Sequence, residues 1–348
     1  MQPMMDGKII RKIFPEENYS VIFNKSTGFF ARIEKKGYEE PFWSKNSPEL
    51  LDISITNYCE KNCSFCYRNS NINGNHISLG DYNLIIKQAK EIGVFQVALG
   101  GGNPNQHPHF VEILESTFKS GIVPSYTTNG DGLTSDILLA TKKYCGAMAL
   151  SAYKPYENLK STIDRIKSFG IKLNIHFLLD KNTINDAINW LVNPPDFLNQ
   201  INAIIFLNYK PINSSNEQLL RKSPRLKEFF KLVNKKHTFK IGFDSCSVSG
   251  IVKEMDVNPT YLESCEAAKF SAFISEDMKM FPCSFMADTE LFADLRNNSI
   301  IDIWQNDITF KSFRDKIRNN NCKDCEYEKL CQGGCLFIPD INLCKTNE

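Results

Sequence analysis

Between about residues 50 and 211 the chain alternates short β-rich runs with stretches of helical period, the pattern of repeated strand–helix units around a parallel sheet. The runs LDISIT (51–56), FQVALG (95–100), VPSYTTN (123–129), AMALSAY (147–153), KLNIHFLL (172–179) and AIIFLNY (203–209) read as strands. Amphipathic segments such as DYNLIIKQAKEIG and ENLKSTIDRIKSFG stand between them. Six such strands predict an α/β fold, a partial, TIM-like (β/α)6 barrel. In that architecture ligands gather at the C-terminal ends of the strands.

The flanks read differently. Residues 1–48 contain YSVIF, a turn NKSTG and FFARI, which predict an N-terminal β-hairpin extension. The barrel is expected over 49–235, and from about 212 a charged helix, NEQLLRKSPRLKEFFKLVNKK, leads out of it. From 236 to 348 cysteines are set in irregular sequence, which predicts a module stabilised by metal rather than by a large core. No solenoid-length repeat or low-complexity segment is present.

Charge narrows the partners. Forty-one Lys and Arg face forty Asp and Glu, and no basic block is long enough to track a phosphate backbone, so nucleic acid is not expected. The N-terminus lacks an apolar signal core, and no stretch approaches the roughly 18 apolar residues of a membrane span. A cytoplasmic protein is the expectation. Twelve cysteines in a reducing compartment point to metal rather than to structural disulfides.

Their spacing separates two designs. YCEKNCSFCY places Cys59, Cys63 and Cys66 directly after the first barrel strand. Three thiolates leave one iron of a four-iron cluster open to an outside ligand. A structural zinc ion would need a fourth ligand, and no His or Cys nearby supplies it. The segment resembles the C-x3-C-x-aromatic-C signature of the radical SAM superfamily, with Phe65 in the aromatic place. The resemblance implies that S-adenosylmethionine (SAM) chelates the open iron and is split reductively to a 5′-deoxyadenosyl radical.

The same resemblance assigns the neighbourhood of SAM. Phe65 would pack near the adenine. Gly101, Gly102, Asn103 and Pro104 match the family's Gly-Gly-Glu-Pro segment, with Asn in the place of Glu, and would receive the amino group. Thr128 and Asn129 within TTNG, together with Ser151, match positions lining the ribose and carboxylate. His176 on the fifth strand is a candidate to face the same pocket.

In the tail, NCKDCEYEKLCQGGC gives Cys322, Cys325, Cys331 and Cys335, with Cys344 beyond and Cys265 and Cys283 upstream. A zinc ribbon would explain four of these cysteines but not eight. The set, with DIWQND and FKSFRDKI, resembles the SPASM extension, which implies two auxiliary [4Fe-4S] clusters and three in all. By that pattern Cys265, Cys283 and Cys335 bind the first and Cys322, Cys325, Cys331 and Cys344 the second. Cys246 is left as fourth ligand of the first, or else as hydrogen-atom donor or spare thiol. Ala268 and Met278 stand where the pattern has glycine.

Resemblance to SPASM enzymes implies a maturase of a ribosomally synthesised (RiPP) precursor peptide, forming a thioether, a carbon–carbon crosslink or an epimerised residue. An external electron donor such as flavodoxin or ferredoxin is then required. The 48 residues before the barrel are too few for a winged-helix leader-binding domain, so the leader falls to the barrel, the tail or a separate leader-binding protein. Ser284 occupies the place of the aspartate base of sulfatase-modifying relatives, which leaves Asp244 and Asp277 as candidate bases. Oxidation of a small molecule and a non-catalytic electron-transfer role are the alternatives.

Overall fold

A computed structural model describes residues 9–212, 216–220 and 222–344. Three antiparallel strands come first: β1 (Ile9–Phe14), β2 (Tyr19–Asn24) and β3 (Phe30–Glu34). The predicted hairpin is β2–β3; β1 adds a strand to its edge, while residues 1–8 lie outside the described residues. This small sheet packs through Phe23 and Phe30 onto Phe95 at the base of the barrel.

The barrel follows as β4 (Leu50–Thr56), α1 (Leu79–Ile92), β5 (Gln96–Gly101), α2 (Phe110–Lys119), β6 (Val123–Thr128), α3 (Ser135–Tyr144), β7 (Ala147–Ala152), α4 (Leu159–Ser168), β8 (Leu173–Leu179), α5 (Ile184–Val192), β9 (Ala203–Asn208) and α6 (Pro224–Val233). All six strands neighbour one another in chain order and in parallel. Alternation sorts their side chains: on β8, Leu173, Ile175 and Phe177 are buried under the helices, while Asn174, His176 and Leu178 turn inward to the barrel's open interior. The charged helix expected from about 212 is divided. A 3-10 turn spans Asn216–Gln218, and α6 starts at Pro224 under the Ser223 cap, because proline suits the first helical turn and not its interior; Arg221 lies outside the described residues.

The sheet continues past the six predicted strands. β10 (Lys240–Phe243) adds to β9, and after α7 (Val248–Glu254), β11 (Ser271–Ile274) pairs in parallel with β4 on the opposite edge. Two antiparallel strands, β12 (Lys279–Phe281) and β13 (Ala293–Asp294), complete ten. The tail is therefore joined to the barrel by main-chain hydrogen bonds at both edges.

Arginine side chains hold these parts together. Arg32 of β3 stacks on Phe270 and bonds Glu49 and Glu266, linking the N-terminal sheet, the barrel and the tail. Helices α8 (Ile300–Asn306) and α9 (Ile308–Arg318) bring Trp304 and Arg314 together over Trp43, and Arg314 donates to the carbonyls of Ala268 and Trp304. Ala268 and Met278 both adopt left-handed backbone, φ 58° and 69°. The conformation for which glycine is ordinarily selected is retained with a side chain present.

Candidate functional site

A cavity of about 570 Å³ opens at the C-terminal ends of the strands. Cys59, Cys63 and Cys66 line it from the loop after β4, where the chain turns back so that the Cys66 N–H donates to the Cys63 carbonyl at 3.0 Å. Asn71 accepts from the Cys59 N–H, and Asn129 of the β6 loop directs its amide at the Cys59 sulfur, 3.6 Å away. Burial, and then the neighbouring Cys66 and Cys59, push the Cys63 thiol up to about 11.

The glycines after β5 lie against this loop. A Cβ on Gly101 or Gly102 would stand 2.0 Å from the carbonyl oxygen of Thr56 or Tyr58, and the Gly102 N–H donates to Thr56 at 2.6 Å. Close approach of two main chains therefore demands glycine here. Both glycines line the cavity. Asn103 and Pro104 are buried behind them, outside its lining. The Asn103 carboxamide accepts from the Thr128 hydroxyl (3.0 Å) and the Asn129 N–H (3.2 Å) and donates to Asp131 (2.9 Å), so it fixes the β6 loop relative to the β5 loop.

Thr128, Asn129, Ser151 and His176 all reach the cavity wall. Burial lowers the His176 imidazole to about 4, so it is neutral near pH 7. Phe65 meets Tyr153 edge-on at 5.0 Å, and Tyr153 lines the cavity beside Ser151. Sequence reasoning did not single out Tyr153, although its place just beyond β7 was the available signal.

The two candidate bases part company. Asp244, just beyond β10, lines the cavity; Lys210, Ser247 (2.7 Å) and the Asn208 N–H (3.2 Å) all bond its carboxylate. Lys210 is buried under the Phe285 ring, and no sequence motif pointed to it. Asp277 is exposed on the β11–β12 turn, bonded to Ser275 and Lys279 and away from the cavity lining.

Cys246, Cys265 and Cys283 line the cavity, and Cys335 is close enough to affect the ionisation of all three. Burial is the main cause raising these thiols, Cys265 to about 11. Cys335 is seated by Asn342, which accepts from its N–H at 2.7 Å and lies so close to Gly334 that a Cβ there would be 2.2 Å from the Asn342 oxygen. Further out, Cys322 and Cys344 act on Cys331, and the exposed Cys325 joins Cys322 through a main-chain turn at 2.9 Å. Cys145 sits apart at the end of α3, packed against the core.

This donor chemistry suits iron–sulfur clusters. Each set consists of thiols and none contributes carboxylate or imidazole, the soft ligand choice of such clusters. Among the described residues no three His, Cys, Asp or Glu side chains are arranged around a single ion.

Residues 53–169 match the Radical SAM superfamily, and residues 265–326 match SPASM, an iron–sulfur cluster-binding domain. The chain therefore contains a radical SAM domain and a SPASM domain, and these domains imply SAM and four-iron clusters. The crystal structure of Streptococcus suis SuiB bound to precursor peptide SuiA is similar over 95% of this chain and 94% of that one, with TM-score 0.74 at 16% identity. Native anSMEcpe with bound AdoMet and Cp18Cys peptide aligns over 86% and 92%, with TM-score 0.62 and 16% identity. In sequence, the chain is 21% identical over 159 residues to an S-adenosylmethionine-dependent nucleotide dehydratase from Flammeovirga pacifica, 39% of this chain and 55% of that protein. A probable GTP 3′,8-cyclase from Pyrococcus abyssi is 32% identical over 84 residues, 24% of this chain and 28% of the cyclase. The chain thus spans about half or less of the curated relatives it matches. Among the described residues no helix is long and apolar enough to cross a membrane.

Proposed function

We propose that this protein is a radical SAM maturase that modifies a ribosomally synthesised precursor peptide, forming a thioether or a carbon–carbon crosslink or epimerising a residue. One observation carries the reading. A single cavity is lined by Cys59, Cys63 and Cys66 and also by Cys246, Cys265 and Cys283, so a substrate inside it lies between two thiol sets. The peptides named in the SuiB and anSMEcpe structures support a peptide as substrate class.

In this reading Cys59, Cys63 and Cys66 hold one cluster, Cys246, Cys265, Cys283 and Cys335 a second, and Cys322, Cys325, Cys331 and Cys344 a third. When bound, SAM and the first cluster supply a radical able to remove a hydrogen atom from the peptide. Gly101 and Gly102 present main chain to SAM, Phe65 and Tyr153 offer it an aromatic wall, and Asn129 orients Cys59 by its amide. His176, uncharged at neutral pH, can donate or accept a hydrogen bond in the cavity without adding charge. Lys210 occupies the Asp244 carboxylate, which positions both groups beside Cys246. An external reductant such as flavodoxin or ferredoxin starts the reaction, and the leader is bound by the barrel, the tail or a separate protein.

The test is anaerobic incubation of the reconstituted protein with SAM, dithionite and the peptide encoded beside its gene, followed by mass spectrometry. A crosslink appears as loss of two hydrogen atoms per modification, together with 5′-deoxyadenosine. Unchanged mass with solvent deuterium at an α-carbon indicates epimerisation. Turnover of a free sugar or amino acid with no peptide modified would overturn the assignment.

A further inference from the structure

We infer that Asp52 is a specificity-determining residue that receives a positively charged substrate side chain, an alkylammonium or guanidinium, in the cavity. Asp52 stands on β4 between Ala98 of β5 and Phe273 of β11, and like Leu50 two residues earlier it turns into the barrel. One of its carboxylate oxygens lies 3.8 Å from where a Cβ on Gly100 would be. Its cross-strand neighbours Ala98 and Phe273 are apolar, and Tyr67 lies near enough for Asp52 to act on the ionisation of its phenol.

The other carboxylates of the lining have partners. Asp244 is bonded by Lys210, Glu266 by Arg32 at 2.6 Å, and Glu263 faces Arg32 at 3.7 Å. Among the described residues Asp52 alone of the lining carboxylates has neither ion pair nor hydrogen bond. Arg68 is the cation that acts on it, and Arg68 is already held by Glu276 at 3.0 Å and Asp288 at 3.7 Å. Burial accordingly pushes Asp52 up to about 7. A carboxyl without a partner at this depth costs stability that an apolar residue would not, and an incoming cation supplies the missing partner. A lysine- or arginine-like side chain also brings an alkyl stem suited to Leu50, Ala98 and Phe273.

This inference rests on the peptide reading for its substrate, but its test does not use a peptide. Holoenzyme saturated with SAM is titrated by NMR with n-pentylammonium, n-butylguanidinium and neutral n-hexanol. The clusters are left unreduced so that SAM stays intact, and saturation transfer from protein to probe protons reports binding. The wild type is expected to bind one of the cations roughly tenfold or more tightly than hexanol, and the stronger of the two identifies the side-chain class. In Asp52→Asn the preference is lost, while hexanol, SAM and iron are bound as before. Equal binding of cations and hexanol by the wild type would overturn the inference without recourse to a variant. So would an undiminished preference in Asp52→Asn, or a loss of SAM affinity, which would place Asp52 against the cofactor. Cation preference with no peptide modified would count against the peptide reading alone; peptide turnover with no cation preference would count against Asp52 alone.

Discussion

The buried Lys210 and the half-buried Asp244 form an ion pair at the cavity wall, joining the chain beyond β9 to the chain beyond β10, two residues from Cys246. Ser247 and the Asn208 main chain complete the Asp244 shell, and the Phe285 ring covers the lysine. A carboxylate so occupied serves as an anchor for the loop that bears Cys246. To act as a base, Asp244 would have to release one of these partners.

Removing one member should therefore be worse than removing both. Lys210→Met removes the charged partner of a largely buried carboxylate that keeps its bonds from Ser247 and Asn208, and is expected to cost about 1–3 kcal/mol. The double variant Lys210→Met/Asp244→Leu should recover a large part of that loss, a non-additivity of more than about 1 kcal/mol, since the two residues share one interaction. Urea denaturation of the four proteins in the cycle measures it.

The thiol sets should be separable by iron content. Reconstituted protein is expected to hold on the order of 12 iron per chain, and replacing Cys59, Cys63 and Cys66 together by Ala should remove about four and abolish 5′-deoxyadenosine formation. Zinc in place of iron after anaerobic handling would count against the cluster assignment. Iron analysis and chromatography of the nucleoside product decide it.

Cys246→Ala distinguishes the two roles open to that thiol. As fourth ligand of the first auxiliary cluster it should take iron with it, up to about four per chain. As hydrogen donor it should leave iron at the wild-type level and change product alone. The iron-to-protein ratio is the first measurement to make.

Ala268 and Met278 share left-handed backbone but differ in what their side chains do. Ala268→Gly relieves the conformation and loses one methyl group, so it is expected to stabilise by about 0.5–1 kcal/mol. Met278 is 1% exposed within the core, and Met278→Gly should destabilise by about 2 kcal/mol or more, because the cavity it opens outweighs the relief. Denaturation midpoints of both variants check the opposite signs.

Asp52 should leave a mark on the pH dependence of stability. Burial lifts its folded value from 3.8 to about 7, so between these limits the folded state binds more protons than the unfolded one. Stability contributed by this group is then present below about pH 4 and is lost as pH rises toward 7. Asp52→Asn removes the effect, and it should be the more stable protein at pH 8 by on the order of 1–3 kcal/mol, with a smaller margin at pH 5. Paired denaturation curves at the two pH values test the sign.

What the sequence determined by itself was whatever short-range patterning controls. The six barrel strands lie within a residue of where alternation placed them, because inward and outward positions of a strand in a parallel sheet are set by a period of two. The loop bearing Cys59, Cys63 and Cys66 was legible for the same reason: three ligands within eight residues need no distant partner to be recognised. Tertiary structure decided the rest. The pairing of β11 with β4 joins residues more than 200 positions apart, and no local period encodes such an edge. Cys246, Cys265, Cys283 and Cys335 converge only after both sheet edges are built and Asn342 has fixed the last of them. Asp244 and Asp277 looked equivalent along the chain, yet one strand end carries the first to the cavity wall and a tight turn leaves the second in solvent. Along the chain Asp52 is one polar residue within a strand; its desolvation and its lack of a partner are properties of the neighbours that β5 and β11 bring to it, and those neighbours are assembled from segments far apart in sequence.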